Sequence, residues 1–88
     1  MTADIYPNPV SATSYISFAL RSSDCNVKIE VIDLLGVVVH TLYDNIKVKR
    51  MTPEIVQFDS SDLPSGIYSI VFSVDSGERI AHELIISH

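Results

Sequence analysis

Three histidines, one cysteine and one acidic cluster carry the donor chemistry of this 88-residue sequence. Zinc ligation needs His or Cys pairs at short spacing, and His40, His82 and His88 lie far apart. His82 shares a strand face with Ile80 and Leu84 and reads as a histidine at the core edge. His40 falls within a strand, and His88 is expected to be a mobile terminal residue. The cluster Asp59-Ser60-Ser61-Asp62 offers oxygen ligands to calcium but lacks the glycine and distal glutamate of an EF-hand loop. Asp59 and Asp62 therefore read first as turn acids bonded to their own backbone. A loosely built calcium site between loops is the alternative reading. No other metal and no cofactor is expected.

Catalytic patterns fare no better. Cys25 is the only cysteine, so no disulfide forms within the chain, and without a histidine near it in sequence it reads as a small, partly buried residue. Ser65 lacks the flanking glycines of a nucleophile elbow. Gly36, Gly66 and Gly77 are too far apart for a phosphate loop. An acidic chain always offers carboxylate pairs, but a domain this small has little room for a substrate cleft beside its core. The expectation is no catalytic residue and no enzyme. Tyr6, Tyr15, Tyr43 and Tyr68 suggest a sugar-stacking face, against which stands the commoner role of tyrosine as a half-buried packing residue with a wet hydroxyl.

Charge removes another class. Six Lys and Arg against 11 Asp and Glu leave a net charge of −5, without the basic footprint that phosphate backbones require, so nucleic acid is not an expected partner. The one basic run, Lys47, Lys49 and Arg50, reads as a solvated loop or edge strand.

The elements that would position these side chains are strands. Ile16, Phe18 and Leu20 alternate with Ser17 and Ala19; Val27, Ile29 and Val31 alternate with Lys28 and Glu30; Tyr68, Ile70, Phe72 and Val74 alternate with Ser69, Val71 and Ser73. Successive side chains leave a strand on opposite faces, so a period of two marks strands with one face on a core. Val37-Val38-Val39 and Leu84-Ile85-Ile86 are continuous runs that suggest strands buried on both faces. Turn residues separate the segments: Ser22-Ser23-Asp24, Asp33-Leu34-Leu35-Gly36, Leu63-Pro64-Ser65-Gly66 and Asp75-Ser76-Gly77-Glu78.

The alternation predicts strands near 14–20, 26–33, 37–43, 54–59, 67–74 and 79–87. A further edge segment is expected at Asp4–Pro7, kept at an edge by prolines that donate no ladder hydrogen bond. Residues 44–53 read as a loop or an edge strand. The expected fold is all-β, an antiparallel β-sandwich of about seven short strands. Its core should draw on Ile16, Phe18, Leu20, Val27, Ile29, Val31, Val38, Phe58, Tyr68, Ile70, Phe72, Leu84 and Ile86. A single domain is expected over residues 5–88, with residues 1–4 as a linker remnant or added start. No apolar run approaches the roughly 18 residues of a membrane span. Met1-Thr2-Ala3-Asp4 lacks the basic and apolar regions of a signal peptide, and a secreted origin stays open for one domain of a longer precursor.

Three motifs in order carry a resemblance. They are Tyr6-Pro7-Asn8-Pro9, then Val31-Ile32-Asp33-Leu34-Leu35-Gly36-Val37-Val38-Val39, then Leu63-Pro64-Ser65-Gly66-Ile67-Tyr68 followed by an alternating strand and a final strand. From Ile5 to His88 the chain resembles the C-terminal sorting domain of cargo exported by the type IX (Por) secretion system of the Bacteroidetes. The resemblance implies an immunoglobulin-like sandwich attached to N-terminal cargo domains. It implies passage through the periplasm, recognition by the outer-membrane translocon and, in many members, removal by a sortase-like peptidase, leaving the cargo secreted or on the cell surface. The family positions present are Pro7, Asn8, Pro9, Gly36, Leu63, Pro64, Ser65, Gly66 and Tyr68. The recognition tail is Leu84, Ile85, Ile86, Ser87 and His88, at the end of a strand that strand addition could read. Family tails usually carry Lys or Arg in and after this strand, whereas here only Arg79 is basic. An immunoglobulin-like adhesion or spacer module is the competing reading, and it shares the sandwich and the proline-rich start.

Overall fold

Period-two alternation becomes seven strands and no helix in the computed structural model, which describes residues 1–9, 11–21 and 23–88. The strands are β1 (Thr2–Tyr6), β2 (Thr13–Ala19), β3 (Cys25–Ile32), β4 (Val38–Val48), β5 (Glu54–Asp59), β6 (Gly66–Val74) and β7 (Arg79–Ile86). They form a three-stranded sheet of order β1-β2-β5 and a four-stranded sheet of order β4-β3-β6-β7. Every pairing is antiparallel. The chain changes sheet between β2 and β3, between β4 and β5, and between β5 and β6. That Greek-key path over two packed sheets is the immunoglobulin-like sandwich the sequence suggested.

The core lies between the sheets and is built from alternate residues. Ile16 and Phe18 of β2, Val27, Ile29 and Val31 of β3, Tyr68, Ile70 and Phe72 of β6, and Leu84 and Ile86 of β7 are all buried. Phe58 closes the core from β5 and Leu20 from the end of β2. Each such side chain contributes roughly 1.5–3 kcal/mol on burial, so the sandwich depends on many of them acting together against chain entropy.

The expectations for β4 need correction. The alternation places Val38 in the core and the run Val37-Val38-Val39 in a strand buried on both faces; Val37 and Val38 are instead 55% and 45% exposed. Two causes combine. β4 is the edge of its sheet, and its pairing with β3 slips at three places. Between Val27↔Ile46 and Ile29↔Tyr43, β4 contains one residue more than β3, and Asn45 takes a φ of 53° there. Asparagine tolerates that left-handed conformation, and such bulges re-aim the side chains beyond them. Another slip between Val31 and Ile32 leaves Val38 opposite Ile32 on the outer face, while Val39 packs against the core. Residues 44–48 thus continue the strand and end in buried Val48, with Lys47 on the exposed edge.

The segment expected at Asp4–Pro7 is β1, paired with β2 from Thr2↔Ala19 to Tyr6↔Tyr15. Of the turn expected at Ser22-Ser23-Asp24, Ser22 lies outside the described residues. Asp24 is fixed from a distance, since its Oδ1 accepts from the Arg50 N–H at 2.9 Å. Among the described residues, no helix is long and apolar enough to cross a membrane.

Candidate recognition site

The last strand and the residue past it are met by polar contacts from distant parts of the chain. Alternation sends Leu84 and Ile86 into the core, where they are 0% and 1% exposed. The tail is thereby fastened by two of its five expected recognition residues. Ile85 stands on the opposite face beside Ile67, and Ser87 and His88 are exposed.

Asn8 meets this strand from the other sheet's side. After β1 the chain turns through Tyr6-Pro7-Asn8-Pro9, with cis peptide bonds before both prolines. The Asn8 carboxamide donates from Nδ2 to the Glu83 carbonyl at 3.0 Å, and its Oδ1 accepts from the Ile85 N–H at 3.0 Å. A side-chain amide here makes the pair of bonds that a neighbouring strand would make.

The Leu63-Pro64-Ser65-Gly66 loop, between β5 and β6, holds the residue just past the strand. The His88 N–H donates to Ser65 Oγ at 3.0 Å. Its ring lies between two carbonyls, with Nδ1 2.7 Å from Ser11 O and Nε2 2.7 Å from Leu63 O. Carbonyl oxygens only accept, so the ring satisfies both when it carries both N–H groups. Where the sequence suggests a mobile terminal residue, the fold places an acceptor at each polar end of the His88 imidazole.

The loop itself is braced from within. Tyr68 Oη donates to the Pro64 carbonyl at 2.7 Å, four residues upstream at the corner leading into β6. This is the tyrosine corner of immunoglobulin-like sandwiches. Tyr68 is 7% exposed, so its ring serves the core and its hydroxyl the loop. Ser60 adds a second brace, donating to Ala12 O from its N–H at 2.7 Å and from Oγ at 2.9 Å.

Gly36 lies at the same end of the four-stranded sheet, because Ile32 pairs with Ser69 and Gly66 with Ile86. It sits in the β3–β4 turn, two strands from β7. Asp33 builds that turn: its Oδ1 accepts from the N–H groups of Leu35 and Val37, both at 2.9 Å. Gly36 adopts a φ of 85°, and Leu34 and Leu35 project from the tip, 76% and 88% exposed.

The remaining chemical candidates are accounted for by packing. Asp59 Oδ1 accepts from the Ser61 N–H at 3.0 Å, and that bond holds its carboxyl below the usual range. Asp62 faces His40 at 3.6 Å, and the His40 ring meets Phe58 edge-on. His82 likewise meets Phe72 edge-on, at the core edge as expected. Tyr43 packs on Phe18 and donates to Glu54 Oε1 at 2.9 Å, tying β4 to β5. Burial, then the bond to Glu54 and its charge, raise the Tyr43 phenol above its usual range. Tyr6 and Tyr15 stack side by side on the outer face, with centroids 5.9 Å apart. Cys25 is buried, with Sγ 3.4 Å from Ser23 Oγ.

The sequence marks Asn8 and Ser65 as motif residues without their contacts, names Ser60 only within the acidic cluster, and gives no sign of Ser11. The one local signal was an asparagine between two prolines, where the flanking backbone has few N–H groups and the side chain is left to bond.

A family model described as "Secretion system C-terminal sorting domain" matches residues 4–87 of the chain. No curated protein matches it.

Proposed function

The chain belongs to the family of secretion system C-terminal sorting domains, and from that membership we propose that it directs a larger cargo through the type IX translocon across the outer membrane. Membership makes the domain a sorting signal of a secreted or cell-surface protein, engaged by secretion machinery. The family is one of signals and not of catalysts.

The finer reading is that the cargo reaches the translocon from the periplasm and that a sortase-like peptidase then removes the domain. The part of the domain read by the translocon is its last strand and the two motifs that grip it. Pro7-Asn8-Pro9 and Leu63-Pro64-Ser65-Gly66 supply the grip. Ile85, Ser87 and His88 supply the accessible side chains, and Leu84 and Ile86 hold the tail to the core. The observation that carries this reading is the match over residues 4–87. The contacts converging on Glu83, Ile85 and His88 support the place assigned to the tail.

The test is a periplasmic reporter fused ahead of residues 1–88 in a type IX-competent host. The fusion is expected at the cell surface or in the medium, while the reporter alone stays in the periplasm. Retention of the full fusion overturns the reading. Deleting residues 84–88 is a poor control, because losing Leu84 and Ile86 would open the core. Paired exchange of Ile85 and His88 for Ser leaves the core intact and is expected to reduce export.

A further inference from the structure

The two edges of the four-stranded sheet are each interrupted, by a different device. On one side, three register shifts bend β4 away from a straight pairing edge. On the other, β7 runs in unbroken register along β6 from Arg79 to Ile86. A straight edge strand is a template for another chain, because its outward N–H and C=O groups have no partner in the sheet. In an antiparallel strand those groups belong to every second residue. Glu83 O and Ile85 N are of this kind, and both are taken by the Asn8 carboxamide at 3.0 Å.

A carboxamide is a peptide unit without a chain attached, with one C=O to accept and N–H groups to donate. Pro7 and Pro9 on either side have no N–H, so the flanking backbone does not extend as a paired strand beside β7. The pairing starts and stops within one residue.

We propose that Asn8 is a one-residue surrogate strand that closes the pairing edge of β7 at Glu83–Ile85, so that secretion machinery reads the tail through the side chains of a fixed strand and not by strand addition there. Asn8 is in this sense a positioning residue for sorting. The closed edge stands on geometry alone, whereas its part in sorting rests on the function proposed above.

The test is amide hydrogen exchange on the whole chain, wild type and Asn8→Ala, together with export of a reporter fused ahead of each. In the variant the Ile85 amide is expected to exchange about tenfold faster, the equivalent of one lost hydrogen bond. Ile29 and Ile70 amides should keep their wild-type rates, and export should fall although the core stays closed. Unchanged exchange at Ile85 overturns the surrogate strand. Faster exchange with export equal to or above wild type overturns the sorting role, since an opened edge would then suffice or help. If Asn8→Ala loosens Ile29 and Ile70 too, the wild-type protein decides. A scalar coupling across the hydrogen bond, from the Ile85 nitrogen to the Asn8 carboxamide carbon, is expected, and its absence overturns the pairing. Failure of the wild-type fusion to leave the periplasm would count against the sorting function, while the exchange data still decide the closed edge.

Discussion

The rings of Phe18 and Phe72 meet across the two sheets, with centroids 5.8 Å apart and planes inclined at 56°. Phe18 comes from the middle strand of one sheet and Phe72 from an inner strand of the other, so the pair joins the halves of the sandwich. Both are nearly fully buried, and Phe72 also carries the edge-on contact with His82. Phe72→Ala is expected to cost about 3–5 kcal/mol, the range for an aromatic removed from a packed core. Urea melts of the two proteins check this, and a variant as stable as wild type would break the assigned register of the last hairpin.

Tyr68→Phe separates the ring from its hydroxyl. The core contact stays and only the bond to the Pro64 carbonyl is lost. The expected loss is about 1 kcal/mol, with an unchanged denaturant slope. A loss as large as that of Phe72→Ala would mean that the corner carries more than its hydrogen bond.

Gly36→Ala tests whether the β3–β4 turn needs glycine for its backbone or for space. A Cβ built there meets nothing within 4 Å, but φ is +85°. Only backbone strain opposes the change, so alanine should cost about 1–2 kcal/mol and asparagine less. Equal melts for the alanine and asparagine variants would show that the turn relaxes to another conformation.

Tyr43 contributes to the alkaline limb of stability. Its phenol is raised, by burial first and by Glu54 second. For a raised group, the added stability is complete below the unfolded phenol's pKa and is lost as pH rises through the higher folded value. Absorbance titration should show the Tyr43 phenol ionising above the usual phenol range, which Tyr43→Phe removes. Glu54→Gln should bring it only part of the way back, since burial is the larger cause; full return would reverse that order.

Asp59 shows the opposite sign. The Ser61 N–H lowers its pKa, so its contribution is present above the unfolded carboxyl value and fades as pH falls through the folded one. The Asp59→Asn variant should accordingly show a shallower acid limb than wild type. An identical acid limb would mean that the loop bond is already broken in solution.

Much of this was legible in the residues. Ile16 and Phe18, Val27 to Val31, and Tyr68 to Phe72 alternate because a strand turns each side chain over by half a turn, and that local rule needs no partner. The β5 bounds at Glu54–Asp59 agree with the prediction, and the hairpin turn at Asp75–Glu78 closes as its residues suggest, with the Val74 N–H donating to Glu78 O at 3.0 Å. Val38 failed because alternation survives only while register does. Three slips against β3 re-aimed β4, and a slip depends on the neighbouring strand as much as on the strand itself.

Outside β4, the sequence alone determined the strands, their turn residues and their inward faces, because these follow from backbone geometry and side-chain type over a few residues. Its three ordered motifs also pointed to a sorting domain. Only the tertiary structure decided what those motifs touch. Asn8 reaches Ile85 across 77 positions, and His88 reaches Ser65 across 23 and Ser11 across 77. Such contacts exist because two sheets pack face to face and bring distant backbone groups within hydrogen-bond range, which no local pattern encodes.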